Sequence, residues 1–453
     1  MNRIALNSLQ TWFQQDGRKP LVLRGARQVG KTYLVREFAR VNGLELIELN
    51  FEKNPEYKSL FVSNDVKKIV LLLEALQNKV IEPTACLLFL DEIQVVPELL
   101  AKLRWFAEDL PQLPVIAAGS LLDFVLNEHD FSMPVGRINY FHLEPLSFEE
   151  FLLAIGRDKL VEFLESFKMG DEIPKVLHEQ LLGYLRDYFL IGGLPAAVVA
   201  WIRSESLITV NQVQQDLLAT YRDDFNKYAK RINKDRLEEV LFSVPRQLSS
   251  KFVYSRVNKE IPSMILKKAL DLLCTARVCH IVSSNHAQGI PLAGGKKATP
   301  FKVIFLDTGL THNLMGLNMQ QLQQPVQLMY EGAIAEQFVG QMLRTLNPYF
   351  IEPELYYWNR DIPNSSAEVD YILQQGQQLI PIEVKAGSTG TLKSLHLLMG
   401  MRQWPLAVRI NSDYPTITLI DTMTVLQQRA HYKLLSLPLY LIGQLRRLID
   451  ENH

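Results

Sequence analysis

One run of eight residues limits this chain more than any other: Gly25-Ala26-Arg27-Gln28-Val29-Gly30-Lys31-Thr32, set between the apolar Leu21-Val22-Leu23 and a segment with helical apolar spacing, Lys31 to Arg40. Gly25 and Gly30 permit backbone angles and close approaches that a side chain obstructs. A strand, a glycine-bearing turn and a helix in that order aim backbone N–H groups and the positive end of a helix dipole at one point, which suits phosphate oxygens. In such a cradle Lys31 reaches the β- and γ-phosphates and the Thr32 hydroxyl ligates Mg²⁺, while Gly25, Ala26, Arg27, Gln28, Val29 and Gly30 wrap the rest of the triphosphate. The expected ligands are ATP and Mg²⁺.

A phosphate cradle of this kind needs an acidic partner, and the apolar run Cys86-Leu87-Leu88-Phe89-Leu90 ends in Asp91-Glu92. That pattern predicts a buried strand delivering two carboxylates to its C-terminal end, the edge at which open α/β sheets bind ligands. Asp91 is expected in the Mg²⁺ shell, and Glu92 is expected to orient and polarise the attacking water. Leu44 to Leu49 and Val115 to Ala118 read as further buried strands, and Val66 to Gln77 and Glu98 to Asp109 as amphipathic helices between them. The alternation predicts a parallel sheet covered on both faces. Gly119-Ser120 follows the last of these strands, where Ser120 either senses the γ-phosphate or caps the next helix. Gly136-Arg137 offers an arginine that phosphoryl transfer recruits in cis or from a neighbouring subunit, although a lone arginine is more often a surface cation.

The chain has 453 residues, more than one core usually holds, and its 47% hydrophobic and 21% charged residues are ordinary globular usage. A net charge of -1 excludes a uniformly basic nucleic-acid coat and leaves only local basic faces. Cys86, Cys274 and Cys279 are too few and too unevenly spaced for a disulfide framework or a zinc site, as expected of a cytoplasmic protein. The longest apolar stretch, Phe189 to Ile202, contains Gly192, Gly193 and Pro195 and falls short of a bilayer span, so no membrane association is expected.

The predicted organisation is α/β throughout: a P-loop ATPase core with a parallel sheet over 1–150, a helical lid over 151–220, a winged-helix-like segment over 221–318, and a C-terminal α/β nuclease-like domain over 319–453. The wing is expected from Ala276 to Val282 and Phe301 to Phe305 around Gly294 to Lys297, with Lys296, Lys297 and Lys302 decorating it. Lys227, Lys230, Arg231, Lys234 and Arg236 form a second basic group, but Asp223, Asp224, Asp235, Glu238 and Glu239 interleave with it, which favours a salt-bridged solvated face. After a helix over Gly332 to Leu346, strands are expected at Leu355 to Trp358, Glu368 to Leu373 and Leu379 to Val384, with the hairpin turn at Gln374 to Gln378. Strand period two puts Glu383 and Lys385 on one face beside Asp370. Asp370 and Glu383 would then bind Mg²⁺ that activates water, Lys385 would neutralise charge on the phosphate, and Glu336 would complete the cluster, with Glu368 a weaker candidate. Alternating charge on a strand is also how a solvated face looks.

The order of these motifs resembles the prokaryotic AAA-type ATPases that carry a C-terminal domain of uncharacterised function with a restriction-endonuclease-like, PD-(D/E)xK fold. The residues that carry the resemblance span most of the chain: Gly25 to Thr32, Leu88 to Gln94, Gly119-Ser120, Gly136-Arg137 with Leu143 to Phe151, Gly192-Gly193-Leu194-Pro195, Asp307-Thr308-Gly309-Leu310, and Glu368 to Lys385. It implies an ATPase core, a helical lid, a winged helix and a nuclease-like module in which Glu336, Asp370, Glu383 and Lys385 match the acidic signature. Val369 departs from it, since a proline commonly precedes that aspartate. The expected function is an ATP-hydrolysing switch acting on nucleic acid, DNA before RNA, with a homo-oligomer needed if Arg137 acts in trans. The alternative is a regulatory ATPase whose C-terminal domain binds a protein or nucleic acid without cutting.

Overall fold

The structure, a computed structural model, describes residues 3–126, 136–228, 232–316, 331–360, 362, 367–386 and 391–452. Two compact units emerge. The first comprises Met1–Pro145 with two later returns of the chain, Thr275–Arg277 and Asn347–Glu352; the second comprises Leu146–Cys274, Val278–Leu346 and Pro353–His453.

The first unit is built on five strands: β1 (Leu21–Arg24), β2 (Glu45–Asn50), β3 (Cys86–Asp91), β4 (Val115–Ala118) and β5 (Asn139–His142). They run parallel in the order β2-β3-β4-β1-β5. β3 and β4 are buried along their whole length, as their unbroken apolar runs require of strands covered on both faces. Phe61, Ile69, Leu73, Leu100, Leu103 and Phe106 pack on one face of this sheet. The helix Val66–Gln77 starts where the Asp65 side chain accepts from the N–H groups of Lys67 and Lys68. Helix Lys31–Val41 buries Leu34, Val35, Phe38 and Ala39, the i, i+1, i+4, i+5 stripe of an amphipathic helix.

The second unit begins with helices Phe148–Ala154, Asp158–Ser166, Lys175–Ile191, Pro195–Ser204 and Leu207–Tyr228, so the expected helical character of 151–220 is present. Ser147 and Glu150 form a capping box at the first of these. Among the described residues no single helix is long and apolar enough to cross a membrane; Lys175–Ile191 and Pro195–Ser204 qualify only as a pair, bent by 119°. The bend is held by a buried carboxylate. Asp307 accepts from the N–H of Gly193 (2.6 Å) and that of Leu310 (3.1 Å), which ties Gly192-Gly193-Leu194-Pro195 to Asp307-Thr308-Gly309-Leu310.

Eight strands form the second sheet: β6 (Cys279–Asn285), β7 (Lys296–Phe305), β8 (Leu355–Asn359), β9 (Glu368–Gln375), β10 (Gln378–Val384), β11 (Leu406–Asn411), β12 (Thr416–Met423) and β13 (Arg429–Pro438), in the order β12-β13-β11-β10-β9-β8-β6-β7. The β9–β10 hairpin pairs Gln375 with Gln378 around Gly376, as expected from the turn residues. The hairpin expected as a wing belongs to this larger sheet. β6 and β7 do pair antiparallel, but β6 also pairs parallel with β8, Val282 to Leu355 through Asn285 to Trp358. The hairpin is therefore part of the same sheet as Asp370 and Glu383 instead of a separate wing. Arg222–Glu238 (3.0 Å) and Arg236–Glu239 (2.6 Å) are ion pairs, as a salt-bridged face demands. Lys230, Arg231 and the side chain of Lys227 lie outside the described residues.

Candidate functional site: a phosphate loop and an acidic cluster

In the first unit, the loop between β1 and helix Lys31–Val41 turns through left-handed backbone, with φ of 155° at Gly25, 66° at Gln28 and 95° at Gly30. A Cβ at Gly25 would lie 2.3 Å from the Leu143 carbonyl oxygen, so this turn excludes any side chain. Gly30 is the N-cap and no side chain caps the helix, which leaves first-turn N–H groups for an anion. Lys31 is buried, and its Nζ donates to the carbonyls of Gly25 (2.9 Å) and Ala26 (2.8 Å). Burial lowers its pKa to about 8, against the opposing pull of Glu92 and Asp91.

β3 delivers the acidic pair as expected. Asp91 Oδ2 accepts from Thr32 Oγ1 (3.3 Å) and Asn50 Nδ2 (3.2 Å), and Oδ1 accepts from the Glu92 N–H (3.1 Å). Burial first, then the neighbouring Glu92 carboxylate, push the Asp91 pKa up to about 6. A buried carboxylate raised in this way, beside a threonine hydroxyl, is an oxygen donor set that a divalent cation stabilises, so Thr32 and Asp91 fit Mg²⁺. Glu92 sits at φ 54°, and its Oε2 accepts from Gln94 Nε2 (2.5 Å) and Ser120 Oγ (3.3 Å). Gly119 makes that arrangement possible, because a Cβ there would lie 2.2 Å from Gln94 Oε1.

The structure thus brings Lys31, Thr32, Asp91, Glu92 and Ser120 together. Arg137 is not among them: half-exposed, it pairs with Glu108 (2.9 Å), which also pairs with Arg104. Asn50 and Gln94 escaped the sequence reading of this site, although each has a signal, a polar residue closing the β2 run and a polar residue three beyond Asp91. A second feature had no local signal. Asp123 binds Arg24 and, at 2.6 Å, Arg277 Nε, while Arg277 Nη2 reaches Glu352 Oε1 at 2.8 Å. Burial would raise the Asp123 carboxyl, but the Arg277 and Arg24 guanidinium groups outweigh it and hold the pKa below the usual range. Arg24 precedes the phosphate loop directly, so this cluster anchors the strand that carries it.

In the second unit, helix Glu331–Thr345 and β9 bring Glu336, Glu368 and Asp370 to one place, and Glu383 and Lys385 meet at 2.7 Å. Asp370 Oδ2 accepts from the Val384 N–H (2.8 Å), which fixes β9 against β10 at this point. Burial first, then Glu336 and Glu383, hold the Asp370 carboxyl well above its ordinary range; burial likewise raises Glu383, whose Oε2 is buried without a hydrogen-bond partner among the described residues. A cleft of about 470 Å³ opens beside the cluster, lined in part by Arg246, Glu336, Asp370 and Lys385.

Lys302, expected on the surface of a wing, is 2% exposed and lies inside this cluster. Its Nζ is 2.8 Å from Glu336 Oε1, 2.5 Å from Glu368 Oε1 and 3.6 Å from Asp370 Oδ1, and it faces the Tyr357 ring at 5.2 Å from the centroid. Burial alone would lower its pKa; Glu336, Asp370 and Glu368 reverse that and hold it well above the ordinary value, so it stays charged. Among the described residues no group of three or more His, Cys, Asp or Glu side chains is arranged to hold a metal ion. The two residues of the expected Mg²⁺ site each lie beside an ammonium: Lys302 is 3.6 Å from Asp370 Oδ1 and Lys385 is 2.7 Å from Glu383 Oε1.

Three regions match family models: residues 17–152 an AAA domain, residues 182–321 a domain of unknown function (DUF8612), and residues 331–437 a domain of unknown function (DUF4143). No curated protein sequence matches the chain. Similar solved structures include the Walker-type ATPase PABY2304 of Pyrococcus abyssi, with 16% identity, 68% of this chain and 94% of that one covered, and a TM-score of 0.42. The Aeropyrum pernix ORC2 protein in its ADPNP–ADP complexes shares 12% identity over 71% of this chain and 92% of its own, with a TM-score of 0.36. At such scores the likeness says nothing about what this chain binds. With the phosphate loop and its acidic partner inside the matched region, the chain is an ATPase whose N-terminal domain is of the AAA type, joined to two regions of unknown function.

Proposed function

We propose that the chain is a nucleotide-controlled switch, in which ATP and Mg²⁺ held by the N-terminal domain govern a C-terminal module that engages nucleic acid. The observation that carries the nucleotide half is the meeting of Thr32 with Asp91 and of Glu92 with Ser120 around an uncapped helix N-terminus. With ATP and Mg²⁺ bound, Lys31 would exchange its two carbonyl partners for the β- and γ-phosphates, Thr32 and Asp91 would hold the Mg²⁺, and Glu92, held by Gln94, would orient the attacking water. Ser120, bonded to Glu92, would report the γ-phosphate to that carboxylate. Chain connectivity supports the control half. Arg277 and Glu352, which pair in the first unit, immediately precede β6 and β8, neighbouring strands of the second sheet.

For the C-terminal module, the sheet with its acidic cluster supports a nuclease-like ancestry, and Arg246 and Lys385 on the cleft supply cations for a phosphate backbone. Between cutting and holding, Lys302 among the carboxylates favours holding, the regulatory alternative. A homo-oligomer follows only if Arg137 serves a neighbouring subunit, since in its own chain it is bound to Glu108. The test measures phosphate release by wild type, Lys31→Ala and Glu92→Gln, and gel shift of DNA and RNA with and without ATP. Loss of turnover in both variants and an ATP-dependent shift are expected. Equal turnover in all three proteins removes the assigned roles, and a shift indifferent to ATP removes the switch.

A further inference from the structure

We infer that the Lys302 ammonium is the built-in cation of the acidic cluster at Glu336, Glu368 and Asp370, taking the place a divalent ion would occupy, so that the module holds its ligand without metal-assisted cutting. This deepens the holding reading and rests on it for the nature of the ligand. Three observations combine. The ammonium lies within hydrogen-bond distance of Glu336 and Glu368 and 3.6 Å from Asp370. Its side chain is 3% exposed and arises from β7, so the charge is held in place by the sheet and not by a flexible surface stem. A divalent ion takes carboxylate oxygens at about 2.0–2.6 Å, and entering here it would meet a buried unit positive charge at nearly contact distance.

The two oxygens of Asp370 differ: Oδ1 lies towards Lys302, and Oδ2 accepts from the Val384 N–H. Lys385 is likewise committed, to Glu383 at 2.7 Å. One oxygen of Asp370 and one of Glu383 are thus already engaged, by the Val384 N–H and by the Lys385 ammonium. Arg246 and Lys385 line the cleft beside the cluster and offer cations to a polyanion's backbone.

The test is a Mn²⁺ titration of the full chain without nucleotide, followed by the electron paramagnetic resonance of the free ion. It compares wild type, Asp370→Asn, Lys302→Met and the Lys302→Met/Asp370→Asn double variant. Wild type and Asp370→Asn should superimpose. Lys302→Met should gain one Mn²⁺ bound at least about tenfold more tightly than by wild type, and the double variant should lose it. Uptake by wild type that Asp370→Asn removes overturns the inference, as does a Lys302→Met protein with native circular dichroism that gains no ion. If Lys302→Met does not fold, wild type against Asp370→Asn decides alone by the same two outcomes. Gel shift of DNA and RNA by the same wild-type sample reads the ligand separately: no shift sinks the nucleic-acid reading and leaves the Mn²⁺ result standing.

Discussion

Lys31 and Asp91 are held away from their ordinary protonation behaviour in opposite directions, one down to about 8 and the other up to about 6, and burial is the leading cause of both. The sign for ligand binding follows directly. Below about pH 6 Asp91 gains a proton and Mg²⁺ loses its carboxylate; above about pH 8 Lys31 loses its proton and the phosphates lose their cation. The affinity for Mg²⁺-nucleotide is expected to be greatest between these limits and to fall on both sides, as calorimetry across pH would show; a flat profile from pH 5 to 9 contradicts the assignment. Gly119→Ala tests positioning. The new Cβ would displace Gln94, loosen its hold on Glu92, and lower kcat by on the order of 10- to 100-fold with nucleotide affinity nearly unchanged, which separates orientation from binding. At this scale the sequence was legible wherever a residue type has one task, as for Lys31, Thr32 and Asp91. Lys302 was not legible, because a lysine on a strand-like run looks the same whether its partners are water or three carboxylates far along the chain.

Elements read well where the pattern is local. The unbroken apolar runs of β3 and β4 and the stripe of helix Lys31–Val41 announce themselves, and the Gln374 to Gln378 turn fixes the register of β9 on β10. The pairing of β6 with β8 joins strands separated in sequence by β7 and the helices Thr308–Leu314 and Glu331–Thr345, and nothing in either strand specifies it; hence the expected wing. β12 is an edge strand with Ile417, Leu419 and Met423 exposed, so its alternation marks no buried face. The returning segments, Thr275–Arg277 and Asn347–Glu352, have no periodicity at all, yet they supply Arg277 and Glu352 to the cluster around Asp123. Asp123→Ala would leave Arg24 and the buried Arg277 without their shared partner. Removing one member of a buried ion pair costs about 3–5 kcal/mol. The expected result is a lower urea midpoint, with an unchanged slope if two-state behaviour persists; a midpoint equal to wild type would show that the cluster stabilises nothing.

On the scale of the whole molecule, a net charge of -1 and an AAA-type domain joined to two regions of unknown function describe an ATPase better than a DNA-coating protein. Composition excluded the coat, and the motif order gave the ATPase; the output of the second unit could not be read, because it depends on side chains assembled from β7, β9, β10 and helix Glu331–Thr345. Ligand linkage gives a global readout of the first site. At Mg²⁺-nucleotide about a hundredfold above Kd, the domain that binds it gains about 2.7 kcal/mol, visible as a rise in its melting temperature that Lys31→Ala should lack. Most direct of all is isothermal calorimetry of Mg²⁺-ATP against well-folded wild type, Lys31→Ala and Asp91→Asn. Saturable one-to-one uptake by wild type, lost with Lys31→Ala and stripped of its Mg²⁺ dependence with Asp91→Asn, is the predicted result. Wild-type protein that takes up no nucleotide, or three titrations that coincide, would contradict the account.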